Sequence, residues 1–544
     1  MVIIRALIAI LFACVLTASA QAQTTHVRQN LHEFVKDQSK LISLIRGILV
    51  MKQRNTAPKD SAAYRMSWEY WAAIHGYTGA ASRFGTVADI QQGLVNRFPE
   101  DAPLYAGFFT GLTDMTAPAD PPNLAQSVWA TCEHGTEHFF SWHRMYLYFF
   151  ERVLRQASGD PNFALPYWDY TNPGVDPAAP GDPLGSLPSI FAVPSLQTTG
   201  GPIPNPLFDA RRTSQFGFAV QLDPALTDVD SVLSVTDFFQ FQSDLDGGLH
   251  GHIHCSVGNS CLAPYMGLIP FSANDPIFWV HHANVDRLWD CWTAKNGRDK
   301  NPLNDPNWMN KEFSFVDENG QPVSMKVAEL FDPKGRIDYS YDNTMNCLRA
   351  PAPAGPIVAM KSSGLVLNAA AAAPMRSEIA SSANVQLNQL SEEVPLVAPG
   401  GGLGKDFLLS ARPNVLQPQR TILKLEQVKV DKEPGASVAV YLVSEDSQKR
   451  AFVGVLSFFA LFAHPAHDKQ AATARDYSFD VSRQVQELTA GGVVAKGIRV
   501  VLVASRSLVG EADPINEKRY SEAGIKIGKI TLEAESTPAV IDLK

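Results

Sequence analysis

In the first half of the chain apolar residues recur at helical spacing, whereas beyond residue 404 they fall into short alternating runs separated by turn-forming residues. Ala62 to Ile74 is an apolar helical stretch that delivers His75 and is stopped by Gly76. Glu137 to Gln156, rich in Phe, Tyr, Leu, Met and Arg and free of Gly and Pro, reads as a second helix. Asp275 as N-cap and Pro276 at the first helical position open a third, which runs through His282 toward Trp289. Trp308 to Tyr341 alternates, as in Phe313-Ser314-Phe315-Val316, and predicts short strands. Residues 171–215 are rich in Pro and Gly and read as a loop. Residues 348–404, with five consecutive alanines and Gly400-Gly401-Gly402, read as a linker. Beyond it Thr421–Val430, Ser437–Val443, Val453–Phe462, Asp476–Val481, Gly497–Ala504 and Ile525–Leu532 predict an antiparallel β-sandwich.

The division that follows is a signal peptide over 1–22, a mainly α catalytic domain over 23–347 with a β segment at 308–345, the linker, and a β domain over 405–544. Met1 to Ala22 has one Arg, an apolar run and two Ala-x-Ala sites, Ala18-Ser19-Ala20 and Ala20-Gln21-Ala22, which predict secretion or periplasmic export. No later apolar segment is long enough to span a bilayer. A net charge of −9 gives no footprint for nucleic acid. With 544 residues, 45% of them hydrophobic, the chain can bury two cores.

Six histidines form two sets: His75, His134 and His143, then His250, His254 and His282. Neutral imidazoles without interleaved carboxylates suit late transition metals. His250 and His254, four apart, share one face of a helix, and His252 between them is turned about 200° from His250. His134 and His143 are nine apart and would point to opposite sides of one helix, so His134 must precede it. His281 and His282 diverge by about 100°, so only one is expected to face a given metal. Asp286, one turn beyond His282, is placed to orient its ring.

The run His134, Phe139-Phe140-Ser141-Trp142-His143-Arg144, Leu147 and Glu151 resembles the first copper signature of the tyrosinase and polyphenol oxidase family. Asp275-Pro276-x-Phe278-Trp279-x-x-His282-x-x-x-Asp286 resembles the second. Leu165-Pro166-Tyr167-Trp168-Asp169-Tyr170 and Tyr339-Ser340-Tyr341 are similar to further landmarks, and the likeness spans roughly residues 60–345. The resemblance implies a four-helix bundle holding two copper ions per chain, one on each set of three histidines. It also implies O2 as co-substrate and oxidation of o-diphenols to o-quinones, small phenols being the partners.

Cys132-x-His134 resembles the thioether crosslink of some family members. Gly251 stands where monophenol-hydroxylating members often carry Asn, and neither Asp244 nor Asp246 aligns clearly with the upstream glutamate, so hydroxylation of monophenols is in doubt. Cys255 occupies a substrate-tuning place, and either Ile269 or Phe271 falls near that of the gate residue. With Cys132 in a thioether, Cys255, Cys261, Cys291 and Cys347 can form two disulfides in three ways, of which Cys255–Cys261 with Cys291–Cys347 is expected. The β domain is weakly similar to the C-terminal domain of plant polyphenol oxidases. That implies a latent proenzyme, plugged by an apolar side chain from Val453–Phe462 and released by an activating protease cutting the linker. The other readings are a full tyrosinase with monophenol hydroxylase activity, a hemocyanin-like O2 carrier, a dizinc hydrolase and, for the β domain, a purely stabilising role.

Overall fold

The computed structural model describes residues 26–97, 99–171, 187–212, 226–258, 261–331, 337–344, 375–398, 419–444, 449–459, 474–489, 498–505 and 515–536, together with residue 222. The N-terminal 25 residues, where the export signal is expected, lie outside them.

Four helices each carry one or more of the candidate histidines: α1 (Trp68–His75), α2 (Phe139–Ser158), α3 (Gly251–Val257) and α4 (Pro276–Asn296), with His134 and His250 just ahead of α2 and α3. The stretch expected as one helix from Ala62 breaks after Arg65, because the Ser67 hydroxyl accepts from the Tyr70 N–H and starts α1 as a new helix. α2 begins at Phe139 with His134 ahead of it, as nine-residue spacing requires. α4 starts as its cap predicts: Asp275 Oδ1 accepts from the Ile277 N–H at 2.9 Å. The same carboxylate takes an ion pair at 2.6 Å from Arg212, at the end of the loop crossing, so one buried acid caps the helix and fixes the loop. Trp71, Trp142, Trp279, Trp289 and Trp292 are fully buried among these helices. The Trp308–Tyr341 segment forms the antiparallel pair Glu312–Val316 with Pro322–Lys326, and Tyr339–Tyr341 pairs with His26–Arg28.

Among the described residues the C-terminal domain holds eight strands: β1 (Met375–Leu387), β2 (Ser391–Pro395), β3 (Gln419–Val428), β4 (Ser437–Ser444), β5 (Arg450–Leu456), β6 (Arg475–Asp480), β7 (Ile498–Ser505) and β8 (Ile525–Ser536). They build two four-stranded antiparallel sheets, β5-β4-β7-β2 and β6-β3-β8-β1. Val438, Val440 and Leu442 of the first and Leu423, Leu425, Ile530 and Leu532 of the second belong to one apolar core.

The linker expected over 348–404 is corrected here, for β1 and β2 lie inside it and the β domain starts by residue 375 rather than 405. Both are edge strands of mostly polar, partly exposed sequence, with Ala380, Val385, Leu387 and Val394 turned into the core. The run expected to Phe462 leaves the sheet at Leu456, and Ser457–Phe459 turns toward the helical domain.

The two domains are docked. Leu226 packs with Ala439 and Val455 in a small apolar cluster. Ser457 N–H and Tyr477 O–H both donate to the Gly247 carbonyl, at 2.9 and 3.0 Å. Arg483 pairs with Asp228 and Asp230 at 2.9 and 2.6 Å.

Candidate metal centre

His75 ends α1, His143 lies in the first turns of α2, and His134 sits in the loop before it. His250 closes the π-turn Asp246–His250, His254 follows on α3, and His282 lies on α4. The six rings meet in the interior. Nε2 of His75 is 3.1 Å from Nε2 of His134, and Nε2 of His254 is 3.3 Å from Nε2 of His282. The sets face each other, His143 stacking on His282 at 4.6 Å between centroids and His134 on His250 at 5.5 Å.

What lies behind each ring decides which nitrogen is free. Nδ1 of His75, His143 and His254 faces the carbonyls of Ile269, Phe139 and Met266 at 3.1, 2.7 and 2.7 Å. Nδ1 of His250 faces the Asp246 carbonyl at 3.1 Å, and Nδ1 of His134 the Asp246 carboxylate at 3.3 Å. A carbonyl or carboxylate must be given a proton, so these rings carry it on Nδ1 and turn an unprotonated Nε2 inward. Nε2 of His143 and of His250 are buried and without a hydrogen-bond partner, as are Nδ1 of His282 and Nε2 of His281. Burial holds the His75, His143, His254 and His282 imidazoliums well below their ordinary range, and that of His134 down to about 4. Two neutral imine nitrogens about 3 Å apart repel unless a cation lies between them, so this donor set fits metal and not a hydrogen-bonded core.

His252 points away, its Nδ1 2.7 Å from Ser437 Oγ of the β domain, as the helical spacing requires. His281 corrects the expectation that only one of the adjacent pair turns in. Donor atoms of His250, His254, His281 and His282 all lie within 4.8 Å of one another, while Nδ1 of His281 is held by the Tyr170 hydroxyl at 2.8 Å. Asp286 does not orient His282. Its carboxylate is taken by Arg144, Arg28, Tyr339 and Tyr341, which tie α4 to α2 and to the Tyr339–Tyr341 strand.

Ile269 acts through its carbonyl, and Phe271 packs edge-on to Phe109. Among the rings that border the site are Phe139, 4.7 Å from His143 and 4.8 Å from His250, Phe278, 4.2 Å from His282 and 4.7 Å from His75, and Phe459 of the β domain. Phe459 stacks on His254 at 4.2 Å and 13°, and meets His250 and His134 edge to face with ring centroids 5.7 and 6.1 Å apart. It falls within the segment named for a plug. Gly251 lies directly beneath: a Cβ there would stand 2.8 Å from both Phe459 Cβ and Ser457 Oγ.

Cys255 and Cys261 form the expected disulfide. Cys291 is also disulfide-bonded, and Cys347, its expected partner, lies outside the described residues. Cys132 is a free, buried thiol, pushed up to about 11 by burial, whose Sγ accepts from Arg83 at 3.0 Å. Sequence reasoning did not name Arg83, Phe459 or the part played by Asp246, all of which reach the site through long-range contacts. The clue for Asp246 was its helical spacing from His250.

The common central domain of tyrosinase matches residues 65–295, the polyphenol oxidase middle domain 302–352, and a domain of unknown function 377–534. The chain is 25% identical to a tyrosinase of Hahella sp. (strain CCB-MM4) over 93% of its own length and 99% of that protein's. To the latent polyphenol oxidase of Prunus armeniaca it is 30% identical, over only 38% of each chain. A latent aurone synthase (polyphenol oxidase) from natural source shares the fold with TM-score 0.56 at 18% identity, over 95% of this chain and 91% of that one. The structure of latent apple tyrosinase gives 0.51 at 19%, over 94% and 97%.

Proposed function

The chain belongs to the tyrosinase and polyphenol oxidase family, and from that premise we propose that it is a copper-dependent oxidase of o-diphenols. The convergence of two three-histidine sets, with proton-free Nε2 atoms turned inward, carries this reading. His75, His134 and His143 would hold one ion and His250, His254 and His282 the other. Bound copper would supply the electron transfer from phenol to dioxygen: two diphenols each give up two electrons and two protons, and one O2 takes all four of each to become two waters.

The protein's own share is to keep the imidazoles unprotonated, to fix their direction and to shape a dry space bordered by Phe278. Diphenols are favoured over monophenols because Gly251 has no side chain to hold a proton-accepting water. The nearby carboxylate, Asp246, has both oxygens engaged, Oδ1 on histidine nitrogens and Oδ2 on the Gly135 N–H. Full tyrosinase activity is the second reading, favoured by the match to the Hahella tyrosinase along nearly its whole length.

Latency belongs to the same proposal. Phe459, 1% exposed, covers His254 from the β domain and stands where an aromatic substrate would stack. Cleavage between the domains frees the site. We also assign a thioether between Cys132 and His134, the Arg83 guanidinium holding the sulfur, and secretion ahead of copper loading. The thioether shows as a tryptic peptide lighter by two hydrogens. Quinone formation from catechol, before and after proteolysis between residues 345 and 374, tests the rest. A rise on cleavage supports a latent oxidase, and equal rates refute latency.

A further inference from the structure

Asp246 lies behind the six rings, 4% exposed, at the start of the π-turn that leads into α3. Its Oδ1 is 3.3 Å from Nδ1 of His134 and also 3.3 Å from Nδ1 of His250, while Oδ2 accepts from the Gly135 N–H at 2.8 Å. His134 belongs to one set and His250 to the other. The rings of His75, His143 and His254 are each backed by a single local carbonyl, whereas Nδ1 of His250 lies between the Asp246 backbone carbonyl at 3.1 Å and the carboxylate. Among the described residues, the carboxylate joining Nδ1 atoms across the two sets is that of Asp246.

We propose that Asp246 is a positioning residue shared by both metal sites: its carboxylate takes the Nδ1–H of His134 and shares that of His250 with its own backbone carbonyl, aims both Nε2 lone pairs inward, and so makes loading of one site organise the other. The inference rests on the dicopper reading. Three features carry it. The carboxylate is anionic in a dry place where its compensation is two ring N–H groups and one backbone N–H, an arrangement that fixes both rings at once. The two rings it holds stack on each other at 21°, so rotation of one is felt by the other. Gly135 anchors the loop bearing His134 to the same carboxylate, which joins that loop to the turn before α3. The same three residues could instead grip a cation directly. That would strip both protons from rings already bound through Nε2, which a neutral imidazole resists.

The test is metal binding by the copper-free full-length protein, with zinc(II) titrated against a chromophoric chelator, in the wild type, Asp246→Asn, Asp246→Ala, Asp246→Glu and, as control, Asp244→Asn. Asp244 lies on the same segment but faces Gln240 and the Ser478 N–H. The expected result is two ions per wild-type chain, with both weakened about 10- to 100-fold in Asp246→Asn and Asp246→Ala. Partial recovery is expected in Asp246→Glu and no change in Asp244→Asn. Unchanged affinity in Asp246→Asn, or weakening confined to one ion, overturns the proposal. So does a third wild-type ion that the variant loses. Circular dichroism identifies a variant that does not fold, and the Glu variant then decides through its affinity alone. A folded wild type that takes up fewer than two ions fails the dicopper reading itself, which separates the two failures.

Discussion

Phe459 and Gly251 are in close contact while the domains are docked: Phe459 Cβ and Ser457 Oγ occupy the place a side chain at 251 would need, and the Phe459 ring extends from there onto His254. Replacing Phe459 with Ala removes the stacked ring, a buried aromatic worth roughly 3–5 kcal/mol to its surroundings. Diphenol turnover by the uncleaved protein should therefore rise at least about tenfold, which needs only ~1.4 kcal/mol of that contact to have opposed substrate entry. Gly251→Asn should act from the other side, since forcing atoms into a packed contact costs about 1–3 kcal/mol. It loosens the cover in the full-length protein and, after cleavage, raises the monophenol-to-diphenol ratio in an oxygen-uptake assay. His252 gives a pH test. Burial holds its ring neutral down to about 3, whereas an unfolded imidazole titrates near 6.5. The unfolded chain thus binds the extra proton between those values, and the contribution present above about pH 6.5 is lost as pH falls, by up to about 1.4 kcal/mol per pH unit. In urea melts of the copper-free protein, His252→Gln should show a shallower acid decline than the wild type. Outside the chemistry of single positions, much at this scale was readable beforehand, because ligand spacing is a local property: i,i+4 pairing put His250 with His254 and turned His252 away. Asp286 was misjudged because helical spacing says which residues are near, not that Arg28 and Arg144 outbid a ring nitrogen for its carboxylate.

At the scale of elements, helices announced themselves where a cap and an apolar stripe coincide. Asp275 is the strongest instance, for it caps α4 and pairs with Arg212 at 2.6 Å, both fully or nearly buried. Asp275→Ala leaves a buried guanidinium without its partner and a helix without its cap. It should destabilise the catalytic domain by roughly 3–5 kcal/mol in a urea titration. Asp275→Asn, which keeps the cap but not the charge, should cost less. The strands β1 and β2 escaped notice for the opposite reason: on sheet edges most of their residues are polar and face outward, and the few that enter the core, Ala380, Val385, Leu387 and Val394, stand out little against a stretch rich in Ala and Ser. Each of the six runs expected as strands overlaps a strand, since each carries apolar residues of the shared core, although the strand of the third ends at Leu456.

Across the whole molecule, the β domain is seated on the turn that supplies His250, through the Gly247 carbonyl, and sends Phe459 from the end of β5 onto the second set of histidines. The division into a helical domain and a β domain was legible from the period of the apolar pattern. Their docking was not, because it joins residues more than two hundred positions apart by contacts with no local signature. The most direct measurement is oxygen uptake by the copper-loaded, linker-cleaved protein, given catechol and then the matching monophenol, with uncleaved protein alongside. Fast uptake on catechol, little on the monophenol and little from the uncleaved protein is the predicted result; no uptake on catechol from protein holding two coppers per chain would contradict an oxidase.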